Sequence, residues 1–164
     1  HKDWSLSYVK NSVEVLERIV HAVSMGGNMV VNFGPQPDGD FRHEEKELAE
    51  AVGRWMKKNG ECVYGCDYAG LEKQDWGYYT RNGNDIYMVV FNLPFSKWLT
   101  VKTPKELKPV EAVTLDGQKV EVVETTNNEY NVKVPEKIIG DPFVIKLKVE
   151  IVNGSVDKYK AALT

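Results

Sequence analysis

Residues 11–33 read NSVEVLERIVHAVSMGGNMVVNF, an amphipathic segment followed at once by a short apolar one. Val13, Leu16, Ile19, Val20 and Val23 recur on one face at the helical period, which predicts a helix from Asn11 to Met25. Asn11 can cap it, with Glu14 three residues on, and Gly26-Gly27 supplies a left-handed exit that residues with a β-carbon resist. Met29 to Phe33 then has the nearly continuous apolar character of a parallel strand buried on both faces. Turn formers fill Gly34 to Phe41 (GPQPDGDF). A second helix is predicted from Arg42 to Lys58, with Leu48, Val52, Trp55 and Met56 inward. Glu44, Glu45 and Glu47 at its start and Lys57-Lys58 at its end suit the helix dipole, and Asn59-Gly60 stops it. Helix, buried strand, loop, helix is the grammar of an α/β protein, yet one parallel strand makes no sheet. Its neighbours are expected in other sequence.

After Gly60 the period changes from 3.6 to 2. Cys62–Cys66, Trp76–Arg81, Asp85–Asn92, Trp98–Lys102, Pro109–Leu115, Lys119–Glu124, Glu129–Val134 and Phe143–Val149 are short runs rich in Val, Thr, Tyr and Phe. The turn signals Asn82-Gly83, Leu93-Pro94, Asp116-Gly117, Asn127-Asn128 and Asp141-Pro142 lie between them. About eight antiparallel strands with tight hairpins make a sandwich or a barrel. Residues 151–164 show no clear period.

Composition narrows the function classes. The 164 residues carry 21 Lys and Arg against 24 Asp and Glu, a net charge of -3, dispersed along the chain. A nucleic-acid partner, which wants a basic face, is not expected. The longest apolar run, Ile86 to Phe91, is far short of the ~20 residues of a membrane-spanning helix, so no membrane partner is expected either. The sequence opens at His1 without methionine or signal core, as a piece of something longer would. Cys62 and Cys66 are the only cysteines and His1, His21 and His43 the only histidines. They are too scattered for a zinc site, so no metal is expected and the thiols read as ordinary half-buried groups.

Three constellations have chemical potential. Gly26 to Asp40 fails as a phosphate loop, because it lacks Gly-Lys-Ser/Thr and its glycines precede the strand. On a parallel strand, however, Asn32, Gly34 and the loop to Phe41 occupy the carboxyl end, where such folds place active sites. Asp38 and Asp40 there form a candidate acid/base pair with His43 nearby, against the stronger and plainer reading that Asp38-Gly39 makes a turn and Asp40 caps the helix. Trp76 and Tyr78 on one strand face, with Tyr87 across the hairpin, form a candidate stacking platform, against the plainer reading of core packing. Trp4 and Tyr8 sit in a polar segment (HKDWSLSY) and suit either a cleft mouth or a pin that holds the loop. No G-x-S-x-G elbow or Ser-His-Asp spacing supports a serine or cysteine nucleophile.

The stretch Val20 to Asp40 (VHAVSMGGNMVVNFGPQPDGD), an acidic helix, and then Gly53 to Gly65 (GRWMKKNGECVYG) strongly resembles the family 29 glycoside hydrolases, the α-L-fucosidases. The family pattern is roughly V-S-x-G-G-N-x-L-L-N-x-G-P-x-x-D-G, a helix, then G-x-W-x-x-x-N-G-E-x-I-Y. Val30, Val31 and Val63 are conservative exchanges within it. The resemblance covers Trp4 to Tyr64, with the β-rich remainder fitting the family's carboxyl-terminal β-domain more loosely.

This resemblance implies an α+β fold as cut: the last βα segments of a (β/α)8-type barrel followed by an antiparallel β-sandwich. Residues 1–60 would close the catalytic barrel, 61–150 form the sandwich, and 151–164 a tail. His1–Lys10 and Gly34–Phe41 then become the seventh and eighth loops on the catalytic face. The implied chemistry is retaining hydrolysis of terminal α-L-fucosides, with an aspartate nucleophile and a glutamate acid/base roughly 5 Å apart. Both would precede His1, as would an aromatic that touches the sugar, so no residue of this chain is expected to be catalytic. Trp4, Asn32 and Asp38 remain as candidate substrate-binding residues on the cleft wall. Implied partners are fucosylated glycans and the remainder of the same barrel. No cofactor is implied, and the implied location is periplasmic or secreted, lysosomal in a eukaryote. The rival expectation is a non-catalytic carbohydrate-binding β-sandwich module built on Trp76, Tyr78 and Tyr87.

Overall fold

The structure, a computed structural model, describes residues 12–27, 43–138 and 140–152. The strand expected at Met29–Phe33, the Asn11 cap, the loop Gly34–Phe41 and the tail beyond Val152 lie outside the described residues. Helix α1 spans Ser12–Ser24 and buries Leu16, Val20 and Val23, three positions of the stripe read from the sequence. Its exit is the expected one: Gly26 takes φ +81°, and the Gly26 and Gly27 amides donate to the Val23 and Ala22 carbonyls. Helix α2 spans His43–Asn59, with Leu48 and Trp55 buried. The Asn59-Gly60 pair ends it, but without a left-handed glycine. The chain instead tightens into a 3-10 turn over Gly60–Cys62, where a β-carbon on Gly60 would lie 2.7 Å from the Tyr64 ring. The strand predicted at Cys62–Cys66 is therefore absent: Cys62 ends the 3-10 turn and residues 63–65 form a further turn. Local β-propensity there yields to the need to reverse the chain after a helix.

The remaining strands are β1 (Gly77–Asn82), β2 (Asp85–Val90), β3 (Trp98–Lys102), β4 (Leu107–Thr114), β5 (Lys119–Val120), β6 (Val122–Thr126), β7 (Glu129–Lys133) and β8 (Phe143–Ile151). They form two antiparallel sheets, β1-β2-β8-β4-β5 and β3-β7-β6. The segment predicted as one strand at Lys119–Glu124 divides at Glu121, its first part pairing with β4 and its second with β7. The β1–β2 hairpin closes through Gly83 and Asn84, with Gly83 at φ +63° as a two-residue primed turn requires.

Strand alternation sends each face of the larger sheet to a different neighbour. Tyr79, Ile86, Met88, Val90, Ile145 and Leu147 join Leu99, Val101 and Val132 of the smaller sheet in one core. On the other face, Tyr87, Val89 and Val144 meet Leu16 and Val20 of α1 and Trp55 of α2. The run Ile86 to Val90 is apolar without alternation because both faces of β2 are covered. The helices are thus joined to the sheet by real burial, each large side chain being worth roughly 1.5–3 kcal/mol.

Candidate functional site

Trp4, Asn32 and Asp38 lie outside the described residues, as do Tyr8, Gly34 and Asp40. What the structure describes is the frame formed by the two helices, the turn after α2 and the larger sheet. A polar cluster links the turn after α2 to the larger sheet: the Lys146 Nζ lies 2.5 Å from Glu61 Oε2, and the Tyr87 hydroxyl donates to the same oxygen at 2.6 Å. The Lys146 ammonium foremost, and then the Tyr87 hydroxyl, hold the Glu61 carboxyl below the usual carboxylate range. Burial, reinforced by that carboxylate, keeps the Tyr87 phenol protonated well beyond its ordinary range. The Trp55 indole donates to the Pro142 carbonyl at 2.7 Å, tying α2 to the start of β8. The Thr80 hydroxyl donates to the Cys62 carbonyl at 2.6 Å, closing the same seam.

Cys62 and Cys66 are free thiols, the first buried and the second half-buried. Burial raises both above the ordinary thiol range, so neither is primed as a nucleophile. Among the described residues, no three His, Cys, Asp or Glu side chains converge to hold a metal. Glu45 of α2 is fully buried, and neither carboxylate oxygen has a hydrogen-bond partner in the structure. Its neighbour at the helix start, His43, is described for its backbone alone, so the acid/base role suggested for it beside Asp38 and Asp40 rests outside the described side chains.

The stacking platform does not form. Trp76 is buried against Tyr79 in an edge-to-face contact, and its indole donates to the Thr100 carbonyl at 2.8 Å. Tyr87 is buried under the helices, on the opposite face of the sheet from Trp76. The sequence alternation misplaced Trp76 because the regular ladder ends at Gly77: the Phe91 and Asn92 amides both donate to the Trp76 carbonyl, and the side chain preceding Gly77 changes sides. Tyr78 alone stays half-exposed, stacked on His21 at 5.1 Å with its hydroxyl donating to Glu17 at 3.0 Å.

Two cavities of about 210 Å³ open beside this frame. One is walled by Lys58, Asn59, Leu115, Asp116, Lys137 and Phe143, the other by His21, Met25, Tyr68, Lys73, Tyr78 and Tyr79. Neither presents two facing carboxylates.

Comparison with known proteins supplies what the frame cannot. The family model described as alpha-L-fucosidase matches residues 1–61. The human tissue alpha-L-fucosidase is 32% identical over 106 residues, covering 63% of this chain and 23% of that protein. An alpha-L-fucosidase GH29 from Bacteroides thetaiotaomicron, solved as a trapped covalent intermediate with 2-fluoro-fucosyl fluoride, is 66% identical with a TM-score of 0.86. The match covers 92% of this chain and 35% of that one. Alpha-L-fucosidase isoenzyme 1 from Paenibacillus thiaminolyticus is 30% identical with a TM-score of 0.76, covering 86% of this chain and 35% of that one. The chain thus spans about a third of the length of these solved relatives and about a quarter of the human one. These likenesses place the chain among the glycoside hydrolases. It belongs to family 29, the α-L-fucosidases.

Proposed function

We propose that this chain is the carboxyl-terminal third of a retaining α-L-fucosidase that removes terminal α-L-fucose from glycans. The observation that supports this most is the 66% identity, over 92% of the chain, to an enzyme trapped as a covalent fucosyl intermediate. A covalent intermediate is the signature of the retaining pathway, in which a carboxylate nucleophile attacks the anomeric carbon and a second carboxyl acts as acid, then base. On this reading both catalytic carboxylates belong to sequence preceding these residues. Residues 1–60 close the (β/α)8 barrel, 61–150 form a β-sandwich behind it, and Trp4, Asn32 and Asp38 line the sugar pocket. The two-sheet core and the half-buried flank of α1 favour this arrangement, since Val13 and Ile19 stay half-buried outside both cores and suit a face that the rest of the barrel covers. Among the described residues no helix is long and apolar enough to cross a membrane.

The chain alone and the longer polypeptide that carries it should be compared on p-nitrophenyl α-L-fucoside. Turnover is expected from the longer form only. Turnover by the chain alone would overturn the placement of the catalytic pair, and an inactive longer form would overturn the fucosidase reading itself.

A further inference from the structure

We propose that the cavity beside the outer edge of β1 binds a sugar bearing an acetamido group, a non-catalytic saccharide site that goes beyond the fucosidase reading and does not depend on it. Strand β1 is the edge of the larger sheet, and its outer side is paired at two points. Arg81 exchanges both backbone hydrogen bonds with Asp67, at 2.9 and 3.0 Å, and the Gly77 amide donates to the Gln74 carbonyl at 3.3 Å. Backbone groups alternate sides along a strand, so the N–H and C=O of Tyr79, midway between Gly77 and Arg81, face the same outer edge. No backbone partner engages them there among the described residues, because the chain between Asp67 and Gln74 bows away and leaves the 210 Å³ cavity. The Tyr79 hydroxyl is also buried without a hydrogen-bond partner in the structure.

One unpaired N–H beside one unpaired C=O is the complement of a single secondary amide. A peptide strand would supply that amide but has no room to continue, since the Asp67 and Gln74 bridges close the edge on both sides. An acetamido sugar supplies it as a compact group. The cavity is smaller than the ~300 Å³ at which drug-sized pockets begin, which suits one sugar ring. Its walls suit one as well. The Tyr68 ring is 62% exposed and free to stack on an apolar sugar face, while His21 and Lys73 stand ready for hydroxyls. Tyr78 is held in place between them, stacked on His21, with the Lys73 ammonium 4.9 Å from its ring centre.

The test is saturation-transfer NMR and calorimetric titration of the full polypeptide carrying this chain, with methyl N-acetyl-β-glucosaminide against methyl β-glucoside as probes. The acetamido sugar should bind saturably at low-millimolar concentration, with transfer strongest at its acetyl methyl, and the plain glucoside about tenfold more weakly. Tyr68→Ala, at an exposed position that leaves the core intact, should weaken the acetamido sugar roughly fivefold. Equal binding of the two sugars, no saturable signal, or a Tyr68→Ala variant that binds unchanged would each overturn the proposal.

Discussion

Glu61 shows how much one residue can do that its sequence context only hints at. It follows Asn59-Gly60 in the stretch resembling the family pattern, yet its partners Tyr87 and Lys146 come from two different strands. Neither partner is predictable from spacing, because the contacts depend on β2 and β8 lying side by side. The carboxyl is lowered on folding, so its contribution to stability is present above the ordinary carboxylate value near 4.5 and is lost as pH falls through the lower folded value. Because the Glu61 side chain is 46% exposed, the effect should be modest and should shrink with added salt. A series of melting temperatures between about pH 6 and 3 should therefore show a shallower acid limb for Glu61→Gln than for the natural chain. Superimposable limbs would show that the cluster contributes nothing to stability.

At the scale of elements, the helices were readable almost to the residue. Their stripes, the Gly26-Gly27 exit and the Asn59-Gly60 stop all act within a few residues along the chain. Strands were readable as existing and less so as partners. The Lys119–Glu124 run looks like one strand because its composition does not change at Glu121, where the chain leaves one sheet for the other. The entrance to β1 is the most constrained point. A β-carbon on Gly77 would sit 2.0 Å from the Val89 carbonyl oxygen, a backbone atom of the adjacent strand that cannot swing aside. Gly77→Ala should cost roughly 2–3 kcal/mol, read as a lower denaturation midpoint with an unchanged slope. A variant as stable as the parent would mean that β1 and β2 separate there freely.

Across the whole molecule, the two sheets and the helix pair are coupled through β2, whose opposite faces belong to two different cores. Leu99 of the smaller sheet is fully buried in the core it shares with Met88 and Ile145. Leu99→Ala should therefore destabilise by about 2–5 kcal/mol, and amide hydrogen exchange should accelerate in β2 and β7 together. Acceleration confined to β3 and β7 would show that the sheets open separately. The residues proposed for the sugar pocket, Trp4, Asn32 and Asp38, rest on the sequence pattern and the resemblance alone and lie outside the described residues. By itself, the sequence determined the two helices, their carboxyl-terminal ends, most strands and the family, because period, capping and motif are properties of neighbours along the chain. The tertiary structure alone decided that β8 inserts between β2 and β4, that Trp76 and Tyr87 face opposite cores, and that Asp67 and Gln74 bridge the outer edge of β1. Alternation tells that a strand has two faces, but what covers each face is set by segments far away in sequence that only folding brings together.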